Sequence, residues 1–155
     1  MTFQLSALPA STFAPLFALS DEALAAKRCK RVVATSSPGF PCRVSLRDAD
    51  IGETLMLVNF EHLPVDSPFR STHAVYVRQG AGEARPVAGE IPACLRSRLL
   101  SVRAFDAEGM MIDADVAPGT EIDSLIERML AAPPVAYLHV HFARPGCYAA
   151  RVDRA

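Results

Sequence analysis

Residues 137–152 read Tyr-Leu-His-Val-His-Phe-Ala-Arg-Pro-Gly-Cys-Tyr-Ala-Ala-Arg-Val. The pattern predicts two β-strands joined by a tight turn at Arg144-Pro-Gly146, because proline and glycine together are typical of turns. Side chains alternate between the two faces of a strand, so Tyr137, His139 and His141 are expected on one face and the apolar residues between them on the other. Two of the chain's four histidines therefore share one face of one strand.

The composition of the chain is that of an ordinary globular domain. Of its 155 residues, 50% are hydrophobic and 21% are charged, and the charges nearly cancel to a net charge of −1. This length fits one domain, for which we expect the boundaries 1–155 because no linker or internal repeat divides the sequence. The lack of a basic excess argues against nucleic-acid binding.

Two features of the sequence bear on the cellular location. The short apolar run 13–19 is interrupted by Pro15 and is not preceded by a basic residue, so it does not resemble a signal peptide, and no stretch approaches the roughly 20 apolar residues of a membrane span. The four cysteines lie far apart without a Cys-x-x-Cys pair, so the spacing of a zinc ribbon is absent. We expect a cytoplasmic protein with reduced thiols and no membrane contact.

Two helices stand out among the remaining elements. One begins after Ser20, a residue typical of helix N-caps, and the other spans Thr120–Ala131, where apolar residues recur at helical spacing. Thr120 and Asp123 form a capping-box pattern at the start of the second helix. Shorter helical segments are expected at 11–19 and 91–98.

Strands outnumber these helices, and the turns between strands are short. Both features favour an α+β fold class with a mainly antiparallel, curved β-sheet against which the two principal helices pack. Residues 53–60 are apolar on both faces and predict a central strand that is covered from both sides. The other predicted strands span residues 2–8, 32–34, 42–46, 72–78, 99–105 and 110–116.

Three groups of segments carry a resemblance to a known family. They are residues 38–46 (Pro-Gly-Phe-Pro-Cys-Arg-Val-Ser-Leu), residues 59–62 (Asn-Phe-Glu-His) with 67–73 (Ser-Pro-Phe-Arg-Ser-Thr-His), and residues 139–141 (His-Val-His) with 146–152 (Gly-Cys-Tyr-Ala-Ala-Arg-Val). Together and in this order they resemble the bacterial family catalogued as domain of unknown function 1203. The resemblance extends over nearly the whole chain and implies a small bacterial single-domain protein, but it implies no activity.

The histidines are candidate ligands of a metal ion. His139 and His141 form a His-x-His pair on one predicted strand, His73 opens another, and His62 precedes it. Three imidazoles, or two with Glu61, can ligate zinc, iron or manganese. A cupin site would add a glutamate a few residues after the second histidine, and here none follows. We therefore take His73, His139 and His141 as candidate ligands of a divalent metal ion, with hydrogen-bonded structural histidines on a half-exposed face as the alternative.

Arginines near predicted strands suggest a different kind of site. Guanidinium groups that converge on one face of a sheet hold a carboxylate or phosphate through two hydrogen bonds. We expect a small anionic ligand to bind at Arg43, Arg70, His73 and His141, which requires these four side chains to lie near one another. Ion pairs with neighbouring carboxylates are the alternative for the arginines.

Cys42 and Cys147 each begin an alternating segment beside a proline or glycine turn. Either is a nucleophile if a histidine lowers its pKa, and the two can form a disulfide if their strands pair. No local signature supports a catalytic thiol, and the sequence contains neither a G-x-S-x-G motif nor a phosphate-binding loop.

Three functions remain open from the sequence, and whether the protein is an enzyme stays undecided. The first in rank is the binding of a small anionic ligand at a cluster of histidines and arginines. The second is a metal-dependent enzyme built on the His-x-His strand, with Glu61 or a metal-bound water as base. The third is a structural or interaction protein without a ligand site. The sequence does not indicate the oligomeric state.

Overall fold

A computed structural model of the chain, which describes residues 2–155, contains two antiparallel β-sheets. The antiparallel arrangement expected from the short turns is thus confirmed, but the strands form two sheets where the sequence predicted one. In spatial order, the five-stranded sheet contains β1 (Phe3–Ser6), β8 (Tyr148–Arg154), β7 (Tyr137–Phe142), β5 (Leu99–Phe105) and β6 (Met111–Pro118). The three-stranded sheet contains β2 (Cys29–Val33), β3 (Thr54–Leu63) and β4 (Ser71–Arg78).

Four short helices accompany the sheets. They are α1 (Ala10–Phe13), α2 (Asp21–Ala26), α3 (Ala93–Arg96) and α4 (Ile122–Leu130), and a 3-10 helix spans Ala14–Ala18. Only α4 is longer than two turns, so the expectation of two principal helices is not confirmed. Across residues 2–155, no helix has both the length and the apolar composition needed to cross a membrane.

The helix α4 covers one face of the five-stranded sheet. Its buried side chains recur at helical spacing, as the sequence predicted, because that spacing places them on one side of the helix. They share an apolar cluster with Leu138, Val140 and Phe142 of β7. Each fully buried side chain of this kind contributes about 1.5–3 kcal/mol relative to an exposed one. The helix face consists of Ile122, Leu125, Ile126, Met129 and Leu130.

The opposite face of the same sheet packs against the three-stranded sheet. The side chains of Tyr137, His139 and His141 lie on this face, which confirms the alternation predicted for β7. All six residues of β7 are buried because the strand is covered on both sides. In the three-stranded sheet, Met56 and Val58 of β3 pack towards the same interface and Leu55 packs away from it, so β3 is also covered on both faces, as predicted.

Two local predictions are wrong. Residues 42–46 do not form a strand: the Leu46 N–H donates to the Cys42 carbonyl at 2.9 Å, and a single bridge joins Cys42 to Tyr76. The turn buries the apolar residues Cys42, Val44 and Leu46 without extending a ladder, and it buries Arg43 between them as well. The capping box of α4 does not form either, because the Asp123 carboxylate accepts a hydrogen bond from Nη2 of Arg96 at 2.8 Å and the N-cap residue makes no side-chain hydrogen bond. Ser20 does cap α2 as predicted, accepting from the Ala23 N–H at 3.2 Å.

The turn between β6 and α4 packs so closely against α3 that only glycine fits there. A Cβ atom on Gly119 would overlap the Leu95 carbonyl oxygen and lie 2.7 Å from the carbonyl carbon of Arg96. Both obstacles are backbone atoms, which cannot rotate away.

We expect Gly119→Ala to lower the free energy of unfolding by about 1–3 kcal/mol, the usual cost of overpacking, as measured by urea denaturation. Gly82→Ala is the matched control, because nothing lies within 4 Å of the added Cβ; equal losses in both variants would contradict the close contact.

Candidate functional site

All four histidines of the chain meet between the two sheets. His62 and His73 belong to the three-stranded sheet, and His139 and His141 belong to β7 of the five-stranded sheet. The ring centroids of His62 and His141 are 5.2 Å apart, as are those of His73 and His141, and His62 lies 5.6 Å from His139. We call these four residues the histidine cluster.

His62 lies at a β-bulge near the end of β3. In the β3–β4 ladder, Glu61 pairs with Thr72 and Leu63 pairs with Ser71, so His62 is the extra residue that has no partner on β4. Phe60 pairs with His73, so regular alternation places His62 on the same face as His73, and the bulge brings the next residue, Leu63, to that face as well. The sequence placed His62 in a loop before the next strand, and it contains no turn residue that would have indicated the bulge.

Aromatic packing holds the His62 ring between two others. The His73 ring stacks on it at 4.6 Å with an interplanar angle of 9°, and the Tyr148 ring stacks at 4.9 Å and 15°. Tyr148 also presents its ring edge-on to His139 at 4.9 Å. Stacked and edge-to-face contacts of this kind favour particular ring orientations, so the cluster has a defined geometry.

The hydrogen bonds of the cluster leave several ring nitrogens without a partner. Nδ1 of His141 lies 3.0 Å from the Gly146 carbonyl oxygen. A carbonyl only accepts, so Nδ1 carries the proton and Nε2 of the neutral ring carries a lone pair. That Nε2 is buried without a hydrogen-bond partner, and so are both nitrogens of His62 and Nδ1 of His73 and His139. Each such group costs about 1–3 kcal/mol when left unsatisfied, which calls for an explanation.

The four imidazoles are neutral at pH 7. Burial lowers the pKa of His62 to about 4, that of His139 to about 3 and that of His141 to about 2, and it also lowers the pKa of His73. The nearby positive charge of Arg103 acts in the same direction on all four. Neutral imidazole is the form that binds metal ions.

Three of the rings can bind one ion. One nitrogen from each of His62, His139 and His141 lies within 4.8 Å of the other two. Two nitrogens bound at about 2.0 Å to a tetrahedral ion are about 3.3 Å apart, so the rings must close slightly around it. A set of imidazoles suits zinc, iron, copper or nickel, whereas magnesium and calcium require oxygen ligands.

The three histidines that approach one another in the structure therefore differ in one residue from the three candidate metal ligands predicted from the sequence. His139 and His141 are in both sets. His62 takes the position expected for His73, and His73 stacks on His62 instead. Whether a metal ion binds stays a prediction.

The two arginines expected at the site lie elsewhere. Half of the Arg70 side chain is exposed, and its Nη2 lies 2.9 Å from Oε1 of Glu61, so both charges are used in an ion pair on the surface. Arg43 is buried and donates from Nη2 to the Cys147 sulfur at 2.9 Å. Of the four side chains expected together, the structure brings only His73 and His141 into contact.

Arg103 is the cation that the sequence did not single out for the site. It lies on β5 directly opposite His139 in the antiparallel ladder, so the two side chains are on the same face of the sheet. Within the part of the chain that the structure describes, its guanidinium forms no ion pair, and burial lowers its pKa. The only sequence signal was a charged residue within the mostly apolar strand 99–105, since strand order cannot be obtained from one sequence.

The four cysteines are free thiols, so the structure contains no disulfide between Cys42 and Cys147. The Cys42 sulfur instead accepts hydrogen bonds from the backbone N–H groups of Ser45 at 3.4 Å and Arg78 at 3.2 Å.

A comparison with known families identifies the region that contains these residues. The family model described as "Protein of unknown function (DUF1203)" matches residues 39–154, which confirms the resemblance stated from the sequence motifs. The matched region includes the whole histidine cluster and Arg103, and it excludes the first 38 residues. No curated protein and no solved structure matches the chain.

The metal-free protein should lose stability as the pH falls below 6.5. The imidazoles of the unfolded chain titrate near 6.5, whereas those of the folded cluster have lowered pKa values, so the unfolded state binds more protons in this range. Stability is complete above pH 6.5 and falls by about 1.4 kcal/mol per pH unit for each buried histidine, until the pH reaches the folded pKa values. Urea denaturation between pH 6.5 and 5 would measure this slope. The slope should be smaller in His139→Phe, and a flat profile for the natural chain would contradict a buried neutral cluster.

Proposed function

Because the chain belongs to the DUF1203 family, whose description assigns no activity, we propose a function from the geometry of the histidine cluster. The protein binds a transition-metal ion through His62, His139 and His141 and uses it as a catalytic centre. The observation that carries this proposal is the approach of three buried ring nitrogens to within 4.8 Å of one another.

The unpaired nitrogens favour a metal ion over purely structural histidines. Structural histidines in an interior normally hydrogen-bond to their neighbours, whereas neither nitrogen of His62 has a partner among residues 2–155. His141 has the arrangement typical of a metal ligand, because Nδ1 donates to a backbone carbonyl and the other nitrogen is free to bind. An ion at this place would use the lone pairs that the protein leaves unsatisfied.

A three-histidine set favours catalysis over a structural metal. Structural zinc sites use four protein ligands, whereas catalytic sites use three and keep a position for water or substrate. A metal ion lowers the pKa of bound water to near 7 and so supplies hydroxide at neutral pH. Of the two bases considered, the metal-bound water is the better supported, because the Glu61 carboxylate is paired with Arg70.

The charge of the site favours an anionic substrate. Three neutral imidazoles leave both charges of a divalent ion uncompensated, and Arg103 adds a third. Among residues 2–155, no carboxylate forms an ion pair with Arg103 or a hydrogen bond with the cluster histidines. A small anion with a carboxylate or phosphate group would balance this charge, and Arg103 would hold it in the role expected of Arg43 and Arg70.

We further propose a cytoplasmic location, which the free thiols support.

The purified protein should contain or take up about one transition-metal ion per chain. We expect His141→Ala to weaken the affinity for zinc by more than about 100-fold, since losing even an outer hydrogen-bond partner of a ligand costs about 10- to 100-fold. Elemental analysis and competition with a chromophoric chelator would measure stoichiometry and affinity. Glu61→Ala is the control. It removes a carboxylate that the sequence offered as an alternative metal ligand, and it should leave the affinity for zinc unchanged.

Two further variants distinguish the ligand sets. His62→Ala should abolish tight binding, and His73→Ala should weaken it less, because His73 only stacks on a ligand. A larger loss of affinity in His73→Ala than in His62→Ala would instead favour His73, His139 and His141 as the ligands, as predicted from the sequence. No uptake of zinc, iron, copper or nickel by the natural chain would overturn the metal proposal and leave a structural or interaction role.

The zinc-loaded protein should be stabilised by small anions through Arg103. At a concentration 100 times the dissociation constant, inorganic phosphate should raise Tm by about 5–11 °C in a thermal-shift measurement. Arg103→Gln should remove this rise because it deletes the unpaired cation beside the cluster. Arg70→Gln is the matched control, since the Arg70 guanidinium is already paired on the surface. A phosphate response that survives in Arg103→Gln would contradict the role given to Arg103.

A further inference from the structure

A cavity of about 600 Å³ lies on the other side of β7 from the histidine cluster. Phe142 lines the cavity, and the preceding residue His141 points to the opposite face of the strand. The volume is within the range of small-molecule sites. Its lining includes three arginines and one thiol: Arg43, Arg98, Arg144 and Cys147.

Arg43 places a buried positive charge beside this cavity. Only 1% of the residue is exposed, and its guanidinium donates to the Pro41 carbonyl at 2.6 Å, the Tyr148 carbonyl at 2.8 Å and the Cys147 sulfur at 2.9 Å. None of these partners is a carboxylate. Burying a cation without a counter-charge is costly, so the site favours an anion next to Arg43.

The Cys147 sulfur is the group best placed to be that anion. A guanidinium has no acceptor, so the sulfur accepts the hydrogen bond, a role that a thiolate fulfils better than a thiol. Cys147 is half-buried, whereas the other three cysteines are buried. Burial also raises the pKa of the Cys94 thiol to about 12, which makes Cys94 an unreactive reference within the same chain.

Two more guanidinium groups line the cavity, and one of them is unpaired within residues 2–155. Arg98 lies over the Phe142 ring, 5.1 Å from its centroid, and is paired with Asp48 at 3.0 Å. Arg144 is exposed at the cavity and, among the residues that the structure describes, belongs to no ion pair. Positive charge in a cleft concentrates anions and raises their rate of encounter.

We infer that this cavity is a second site, independent of the metal centre, in which the Cys147 sulfur attacks small electrophiles that carry a carboxylate or another anionic group. The thiol first gives its proton to solvent, and Arg43 holds the resulting thiolate. The sulfur then forms a bond to the electrophilic carbon while the bond to the leaving group breaks, and the leaving group departs with the electron pair. Arg144, whose guanidinium belongs to no ion pair among the described residues, holds the anionic group of the electrophile.

Two alkylating reagents of similar size test this inference, because they differ in charge. Iodoacetate is anionic and iodoacetamide is neutral, and both transfer a small group to sulfur with loss of iodide. Mass spectrometry gives the alkylation rate of Cys147 with each reagent, in the folded protein and in urea. The ratio of the iodoacetate rate to the iodoacetamide rate should be about tenfold higher in the folded protein, and Cys147 should react before Cys94.

An arginine variant and a matched control complete the test. Arg144→Gln should lower the rate ratio towards its value in urea, and it removes an exposed side chain, so the protein should still fold. Arg85→Gln changes another exposed arginine that does not line the cavity and should leave the ratio unchanged. A folded-state ratio equal to the ratio in urea, or alkylation of Cys147 no faster than that of Cys94, would overturn the proposal and make the Arg43–Cys147 contact purely structural.

Discussion

The packing of the Tyr148 ring against His62 joins the two sheets, and both candidate sites depend on it. The ring comes from the five-stranded sheet and lies in the apolar cluster that β3 and β4 contribute from the other sheet. Its edge contacts with His139 help to orient the proposed ligands, and the Tyr148 carbonyl accepts a hydrogen bond from the buried Arg43. One residue thus contacts the three-stranded sheet, two of the proposed ligand rings and the guanidinium beside the cavity.

A polar cluster in the interior has a cost that an apolar interface would avoid. Aliphatic side chains in place of the histidines would leave no ring nitrogen unsatisfied, and the remainder of the sheet interface is made in that way by Met56, Val58 and their neighbours. The protein instead keeps four imidazoles in their neutral form, beside a cation and without a carboxylate. Such an arrangement departs from what stability alone favours, and departures of this kind are typical of functional sites.

The sequence was sufficient where a periodic pattern determines which side chains face the core. The alternation along β7 and the helical spacing of α4 were predicted correctly because each follows from local backbone geometry. His62 was assigned to a loop because Pro64 and Pro68 follow it, whereas β3 extends to Leu63 and regular alternation from Phe60 places His62 on the cluster face. Arg43 was assigned to a strand because its neighbours alternate, yet they form a turn. The position of Arg103 opposite His139 depends on strand order, which arises from contacts distant in the chain.

The turn that connects β7 to β8 serves two purposes within a few residues. The Gly146 carbonyl sets the tautomer of His141 on one side of the strand, and the next residue, Cys147, lines the cavity on the other. Gly146 itself has a φ of +82°, a conformation that other residues rarely adopt. An insertion, a tag or a fused domain placed in this turn would therefore disturb both regions together. Gly82, where an added Cβ would meet no described atom within 4 Å, is a more suitable attachment point for a label.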